Sequence, residues 1–414
     1  MTLALETPEA VGFSAARLAR IRPAMQAYID KRGFAGISTL LARRGRVIHF
    51  EQVGWQDRDA RIPLAPDTIY RIYSMTKPII CTALMTLYEE GRFQLFDPVS
   101  RFIPAFATVR VLQGSTLADA QEVDLARPIT IHHLFTHTSG LTYNFLDDSP
   151  VSALYRQSHL MGDCSAPLEV LVGELARLPL AYQPGTRWHY SMSIDVLAHL
   201  IEVLSDRPLQ QFLHERLFAP LGMVDTGFSV PPEKQHRLAT IYGNPDIAIS
   251  TLQRNFELWR DGYHQRIDVE ATYPTNSPTF ARGGHGLYST APDYLRFAQM
   301  LLNRGELDGV RILGPRIVDF MHINHVSPAL LPYELAGVPA NGYGFGLGSR
   351  VLLDVGASAV PGSVGEFGWG GAAKTYYWVD PREEVIGILM AQYMTAFDLP
   401  DKTFQVLVYQ ALME

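Results

Sequence analysis

The sequence of 414 residues predicts an α/β protein in which a mostly antiparallel sheet, flanked by helices, is joined to a mainly helical second lobe. Strand-like runs occur near both ends of the chain, whereas the middle consists of helical segments and long loops with many prolines. Strands from both chain ends would therefore share one sheet. We expect residues 1–92 and 283–414 to form the α/β lobe and residues 93–282 the helical lobe, with a small-molecule site in the cleft between them.

Each predicted element has a local signal. Strands are indicated by short runs of β-branched and aromatic residues between turn residues, and they cover 37–42, 47–53, 68–73, 342–353, 366–371, 375–379 and 385–393. Helices are indicated by apolar residues every three or four positions, and they cover 14–32, 75–90, 132–137, 167–178, 194–204, 209–218, 292–303 and a last helix from about 399. Residues 243–280 show little periodicity and predict an irregular loop region over a site.

The composition argues against several classes of function. The net charge of −7 is spread along the chain without a basic run, so nucleic acid is not an expected partner. Cys81 and Cys164 make neither a disulfide framework nor a metal-ligand spacing, and His132, His133 and His137 lack an acidic partner at such a spacing. The first ten residues do not resemble a signal peptide, and no stretch is long enough to cross a bilayer. We therefore expect a cytoplasmic protein with a small-molecule substrate, no cofactor, no metal and no membrane partner; the oligomeric state stays open.

Ser74 and Lys77 form the chain's single Ser-x-x-Lys sequence. At the start of a helix the two side chains would lie one turn apart on the same face. A nearby amine can activate a serine hydroxyl, and a helix N-terminus favours developing negative charge. The pair therefore indicates a nucleophile and its activating partner, although an ordinary helix start with a surface lysine has the same short pattern.

Four further motifs follow Ser74–Lys77 in order. They are Leu-Phe-Thr-His-Thr-Ser-Gly-Leu at 134–141, Pro-Gly-Thr-Arg-Trp-His-Tyr-Ser at 184–191, Gly-Gly-His-Gly-Leu-Tyr-Ser-Thr at 283–290 and Gly-Trp-Gly-Gly at 368–371. From about Gly12 to Leu412, the chain resembles the serine β-lactamase and penicillin-binding-protein superfamily, in particular the family VIII carboxylesterases of its class C-like branch. The resemblance implies a β-lactamase/transpeptidase-like fold and an acyl-enzyme mechanism without metal or cofactor.

The resemblance also implies roles for individual residues. Ser74 would attack an acyl carbonyl, Lys77 would activate it, and Tyr190 would act as general base and then as general acid. A phenol, with an ordinary pKa of about 10, can act as a base only where a cation stabilises its anion. The backbone amides of Ser74 and Ala372 would form the oxyanion hole. Substrate contacts are expected from Trp369, Gly370, Gly371, Ser191, His285 and Tyr143.

Two departures from the family pattern favour neutral esters. Met192 stands in the position of the asparagine of Tyr-x-Asn, and Trp369 stands in that of the lysine of Lys-Thr-Gly, which would bind a substrate carboxylate. A literal Tyr-x-Asn begins at Tyr242, but its flanks are loop-like. Lys374 is followed by threonine but lies out of register, and we expect it to be a turn or surface residue.

These features indicate a serine hydrolase, most specifically a carboxylesterase for small or short-chain neutral esters. A β-lactamase, a D-amino-acid peptidase or amidase, and an acyltransferase remain open, because they share the same three catalytic side chains. A non-catalytic binding module of the same fold is a second alternative, and a structural role is a third. The chain has no Gly-x-Ser-x-Gly sequence, which argues against an α/β-hydrolase.

Overall fold

The computed structural model describes residues 3–146, 149–158, 160–162, 164–248, 250–261, 264–395 and 397–414. A large antiparallel sheet is built from both ends of the chain, which confirms the predicted fold class. Its spatial order is β4-β5-β6-β7-β8-β1-β2-β3, so the two chain ends meet where β8 pairs with β1. These strands are β1 (Gly36–Arg43), β2 (Arg46–Asp57), β3 (Ile62–Pro63), β4 (Tyr343–Phe345), β5 (Arg350–Leu352), β6 (Phe367–Gly371), β7 (Thr375–Asp380) and β8 (Val385–Ala391).

Successive residues of β7 and β8 pack into different cores, because neighbouring side chains of a strand point to opposite faces. Tyr377 and Ile388 belong to the larger hydrophobic core, which also contains apolar residues of the helix that follows Ser74. Trp378 packs with Phe404 in a smaller core on the other face of the sheet. Gly387 lies directly opposite Trp378, and a Cβ there would fall 2.0 Å from the indole ring. A glycine in the centre of β8 therefore makes room for the tryptophan.

Helices cover both faces of the sheet and recur through the middle of the chain between loops. In the described residues they are α1 (Ala15–Leu18), α2 (Ile21–Arg32), α3 (Thr76–Glu89), α4 (Ile131–Phe135), α5 (Pro150–Gln157), α6 (Leu168–Leu175), α7 (Ser193–Ser205), α8 (Leu209–Leu213), α9 (Ala219–Leu221), α10 (Leu252–Arg260), α11 (Ala291–Leu302), α12 (Pro315–Met321), α13 (Val355–Ser358) and α14 (Pro400–Tyr409). Helix α11 packs on one face of β7 and β8, and α2 and α14 pack together on the other.

Short strands pair outside the large sheet. Tyr70–Arg71 pairs with Tyr288–Ser289, Val111–Gln113 with Gln121–Val123, Glu306–Leu307 with Val310–Arg311, Glu334–Leu335 with Val338–Pro339, and Tyr242–Gly243 lies between Gln265–Arg266 and Tyr393–Met394. In the part of the chain that the structure describes, no helix has both the length and the apolar run needed to cross a membrane. The division into lobes at residues 92 and 283 stays a prediction.

Two strand predictions were wrong in extent. Residues 342–353 form the hairpin of β4 and β5 instead of one strand, because Gly348 adopts a left-handed φ of +98° and turns the chain. In the stretch 68–73 only Tyr70–Arg71 is a strand, since Tyr73 has a φ of +44° and enters a 3-10 turn.

The expectation of an irregular region over residues 243–280 was also wrong in part. Helix α10 begins after Thr251, whose hydroxyl accepts a hydrogen bond from the amide of Arg254 and so caps the helix. Residues 249, 262 and 263 of this stretch lie outside the described part of the chain. The capping threonine was visible in the sequence, but weak periodicity hid the helix that follows it.

Candidate active site

Ser74 lies in a 3-10 turn, Tyr73–Met75, that leads directly into α3. The φ of +44° at Tyr73 is unfavourable for a large side chain, and the buried ring is held against Tyr273 at a centroid distance of 5.0 Å. Strain of this kind persists where the surrounding structure fixes the backbone. The bend presents Ser74 at the N-terminus of α3, with Lys77 in the first turn of that helix.

Two side chains contact the hydroxyl oxygen of Ser74. Lys77 Nζ donates to Ser74 Oγ at 3.1 Å and to the carbonyl of Gly284 at 2.7 Å. The hydroxyl of Tyr190 donates to the same Oγ at 2.7 Å, and Trp369 Nε1 donates to the tyrosine oxygen at 3.3 Å. The structure therefore brings together the three side chains expected to carry catalysis.

Gly284 connects Lys77 to a buried carboxylate that the sequence analysis did not identify. The amide of Gly284 donates to Asp195 Oδ1 at 3.0 Å, while its carbonyl accepts from Lys77. Burial raises the pKa of Asp195, and the Gly284 amide and the charge of Lys77 act in the opposite direction. A Cβ on Gly284 would lie 2.6 Å from both Asp195 Oδ2 and the Tyr143 hydroxyl. Asp195 follows Tyr190 by five residues, and its apolar neighbours on α7 were the available signal that it is buried.

Strand β6 approaches the serine turn closely because it ends in glycine. A Cβ on Gly371 would lie 2.4 Å from the carbonyl oxygen of Ile72 and 2.3 Å from Thr375 Oγ1, which donates to that same carbonyl at 3.0 Å. The next residue, Ala372, accepts a hydrogen bond from the amide of Thr395 at 3.0 Å. Its own amide donates to no backbone carbonyl among the described residues, and Ala372 lines the cleft.

A cleft of about 480 Å³ opens beside Ser74. Trp369, Gly370, Gly371 and Ala372 line it, as does Tyr190. Ile247 and Leu252 also line it and come from the stretch 243–280, which was expected to lie over a site. Most of the remaining walls are apolar or aromatic residues from distant loops, and the sequence did not single them out: Phe145, Leu146, Tyr333, Leu335, Val338, Pro339, Phe397 and Leu399. The lining also includes Lys374, which was expected in a turn or at the surface; it does lie in a turn, but it borders the cleft.

Tyr143 and His285 border a second, smaller cavity of about 20 Å³ that Ser74 also lines. Burial lowers the pKa of His285 to about 3, so the imidazole is neutral, and its Nδ1 has no hydrogen-bond partner within the described residues. Ser191 instead is fully buried, with hydrogen bonds to Ser193 Oγ at 2.8 Å and His137 Nδ1 at 3.3 Å. This placement argues against the predicted contact between Ser191 and substrate.

The alternative tyrosine, Tyr242, lies outside both cavities. Its hydroxyl donates to Asp57 Oδ1 at 3.2 Å and accepts from the amide of Arg58 at 3.0 Å. No cluster of three or more His, Cys, Asp or Glu side chains in the described chain is arranged to hold a metal ion. Chemically, a serine flanked by an amine and a phenol beside an open cleft can be activated as a nucleophile.

Comparison with known proteins places the chain in a family. The family model for Beta-lactamase matches residues 21–410, and the chain belongs to this family. Protein Rv1367c from Mycobacterium tuberculosis is 37% identical over 363 residues, which cover 87% of this chain and 86% of that protein. Esterase EstB from Burkholderia gladioli is 30% identical over 398 residues, 92% of each chain. The solved structure of EstCE1, a hydrolase with promiscuous acyltransferase activity, is 29% identical, has a TM-score of 0.77 and covers 95% of this chain and 99% of its own. These relatives support a hydrolase or acyl-transfer activity.

Proposed function

We propose that the protein is a serine carboxylesterase that forms an acyl-enzyme on Ser74. The observation that carries the proposal is the position of one serine oxygen between Lys77 Nζ at 3.1 Å and the Tyr190 hydroxyl at 2.7 Å, at the edge of a large cleft. A serine hydroxyl is a weak nucleophile until a neighbouring base takes its proton. The two contacts supply a proton acceptor and a cation beside it.

Tyr190 reacts as its phenolate: in the first chemical step, Ser74 Oγ attacks the carbonyl carbon of the ester, and the serine proton passes to the phenolate oxygen of Tyr190. Lys77 and the indole N–H of Trp369 stabilise the tyrosine oxygen when it carries negative charge. The amides of Ser74 and Ala372 bind the carbonyl oxygen of the tetrahedral intermediate. Tyr190 then protonates the departing alcohol, the C–O bond to that alcohol breaks, and the acyl group stays on Ser74.

Water completes the cycle by the same route. It adds to the acyl carbonyl carbon while its proton passes to Tyr190. The bond to Ser74 then breaks and Ser74 is reprotonated, which releases a carboxylic acid. Relatedness to EstCE1, a hydrolase with promiscuous acyltransferase activity, favours a second candidate activity in which an alcohol replaces water in this step.

The lining of the cleft supports a small or short-chain ester that is neutral at its reacting end. Trp369 is only 6% exposed, and its ring lies 5.7 Å from that of Tyr190 and 5.2 Å from that of Phe345. An aromatic side chain at this position binds apolar groups and offers no charge to a carboxylate next to the scissile bond. Such a lining favours esters over β-lactams.

The test is hydrolysis of p-nitrophenyl butyrate beside nitrocefin by the wild type, by Ser74→Ala and by Ser115→Ala, a matched control at an exposed serine. The proposal predicts rapid ester cleavage, little nitrocefin cleavage, and loss of both in Ser74→Ala only. Efficient nitrocefin turnover would instead identify a β-lactamase. Ester cleavage that survives Ser74→Ala would remove Ser74 from the mechanism.

A further inference from the structure

Lys374 occupies a backbone position that suits glycine. Residues 372–374 connect β6 to β7, and the third of them, Lys374, has a left-handed φ of +59°. A three-residue hairpin loop commonly ends in such a residue, and glycine adopts the conformation at the lowest cost. The Lys374 amide donates to the carbonyl of Gly371 at 3.0 Å, which fixes the turn. The conformation places the Lys374 side chain at the tip of the hairpin that borders the cleft.

The cleft continues around this hairpin to the other face of the sheet. Gly370 and Tyr376 are direct cross-strand partners, so they share one face, whereas Trp369, the neighbour of Gly370, points to the face of Tyr190. Residues from both faces line the same cleft. Tyr376 belongs to the core that α14 covers, so the cleft has one arm at Ser74 and a second arm beside α14.

The second arm is lined by several charged side chains. Lys374, Lys402 and Arg350 line it, against one carboxylate, Asp401. The guanidinium of Arg350 lies 4.9 Å from the centre of the Tyr376 ring. It also forms an ion pair with the carboxylate of Glu366, at an N–O distance of 3.3 Å. Arg350 is therefore already compensated, and the two lysines are the cations that remain available.

Lys374 has no direct partner in the described part of the chain. Its side chain is partly buried, yet it makes no hydrogen bond and no ion pair within 4.0 Å among the described residues. Burial lowers the pKa of Lys374, and Asp401 and Asp398 oppose this effect from beyond contact distance. A partly desolvated ammonium without a partner is unfavourable, and an anion that entered the arm would relieve this.

We propose that the second arm binds a carboxylate on the remote end of the substrate, with Lys374 as the principal contact and Lys402 at the rim. The inference rests on the proposed acyl-enzyme function of Ser74. The substrate is then an ester that is neutral at the scissile bond and anionic at its far end, such as a monoester of a dicarboxylic acid. Tyr343 and Tyr376 also line the cleft, and we expect the methylene chain to pass beside them.

The experiment compares mono-(4-nitrophenyl) esters of dicarboxylic acids, from succinate to suberate, with methyl-terminated esters of the same chain length. A second pair, 4-carboxyphenyl butyrate and phenyl butyrate, carries the charge on the alcohol side. Each enzyme is described by the ratio of kcat/KM for the acid to kcat/KM for its neutral counterpart. The variants are Lys374→Gly, Lys374→Met and the exposed control Lys31→Met, which makes the same change of charge.

We expect the wild-type ratio, at the best chain length, to exceed that of both Lys374 variants by about tenfold or more, the effect of one charge-assisted hydrogen bond. Lys31→Met should keep the wild-type ratio. Lys374→Gly should also melt at the same or a higher temperature, because glycine relieves the left-handed strain. Equal ratios in all four enzymes for both substrate pairs would overturn the inference. Absence of any ester hydrolysis by the wild type would instead count against the proposed function.

Discussion

Gly371→Ala tests the close approach of β6 to the serine turn. The new Cβ would lie 2.4 Å from the carbonyl oxygen of Ile72 and 2.3 Å from Thr375 Oγ1, whereas real Cβ contacts essentially never fall below 3.0 Å. The strand end must therefore move away from the turn by about 0.6 Å or more. Ala372, whose amide we assign to the oxyanion hole, is the next residue and moves with it.

The expected loss follows from the geometry of that amide. Removal of one oxyanion-hole donor typically costs about 10²–10³ in kcat, and a misplacement of about 1 Å costs about 10². On that scale a shift of about 0.6 Å, affecting a hydrogen bond made only in the transition state, predicts a loss of about tenfold or more in kcat, about 1.4 kcal/mol or more. KM should change little, because the ground-state ester makes weaker use of the same amide.

The assay is steady-state hydrolysis of p-nitrophenyl butyrate, with active sites counted by burst titration so that only folded enzyme contributes. Gly173→Ala is the matched control, since a Cβ at this position in α6 meets nothing within 4 Å. It should keep wild-type kinetics. Wild-type kcat in folded Gly371→Ala would refute the assignment of Ala372 to the oxyanion hole.

Three further predictions follow from buried groups. Tyr190→Phe should slow acylation by about 10²–10⁴ because the proton acceptor is lost, and a stopped-flow burst at the wild-type rate would contradict this. His49 bonds to Thr39 at 2.8 Å, and burial lowers its pKa from 6.5 to about 4, so the unfolded state binds the proton more readily between these values. The stability that neutral His49 provides is complete above pH 6.5 and is lost as the pH falls towards 4. In urea unfolding, the advantage of the wild type over His49→Gln should therefore shrink by about 1.4 kcal/mol per pH unit across this window; a constant difference would count against it. Cys81 is fully buried and burial raises its thiol pKa, so iodoacetamide should leave the activity of the folded enzyme intact, and rapid inactivation at Cys81 would show otherwise.

Much of the fold and the centre of the site could be predicted because local patterns carry them. Ser74 and Lys77 are three residues apart at a helix start, so helical geometry alone brings them together. Strands β6 to β8 are short, apolar and bounded by turn residues. Which of their side chains share a face of the sheet follows from the residue numbers, because successive side chains point to opposite faces. Tyr190 was reached through the order of motifs, since nothing local indicates that it contacts Ser74.

The remaining features depend on long-range packing. Ser191 neighbours a site residue, yet the start of α7 turns it towards Ser193 and away from the cleft. Lys374 has an unremarkable local sequence, and only the pairing of β6 with β7 and the position of α14 place it at the cleft. Asp195 is buried beside Gly284 because two segments that are distant in sequence meet there. The periodicity of a single segment does not predict contacts between segments that are distant in sequence.

The central claim is that Ser74 carries the acyl group. Wild-type enzyme is mixed with p-nitrophenyl butyrate, quenched in acid during turnover, digested and mapped by mass spectrometry. The account predicts one butyryl group per chain, on the peptide that contains Ser74, and none in Ser74→Ala. A butyryl group on another residue, or equal labelling of Ser74→Ala, would contradict it.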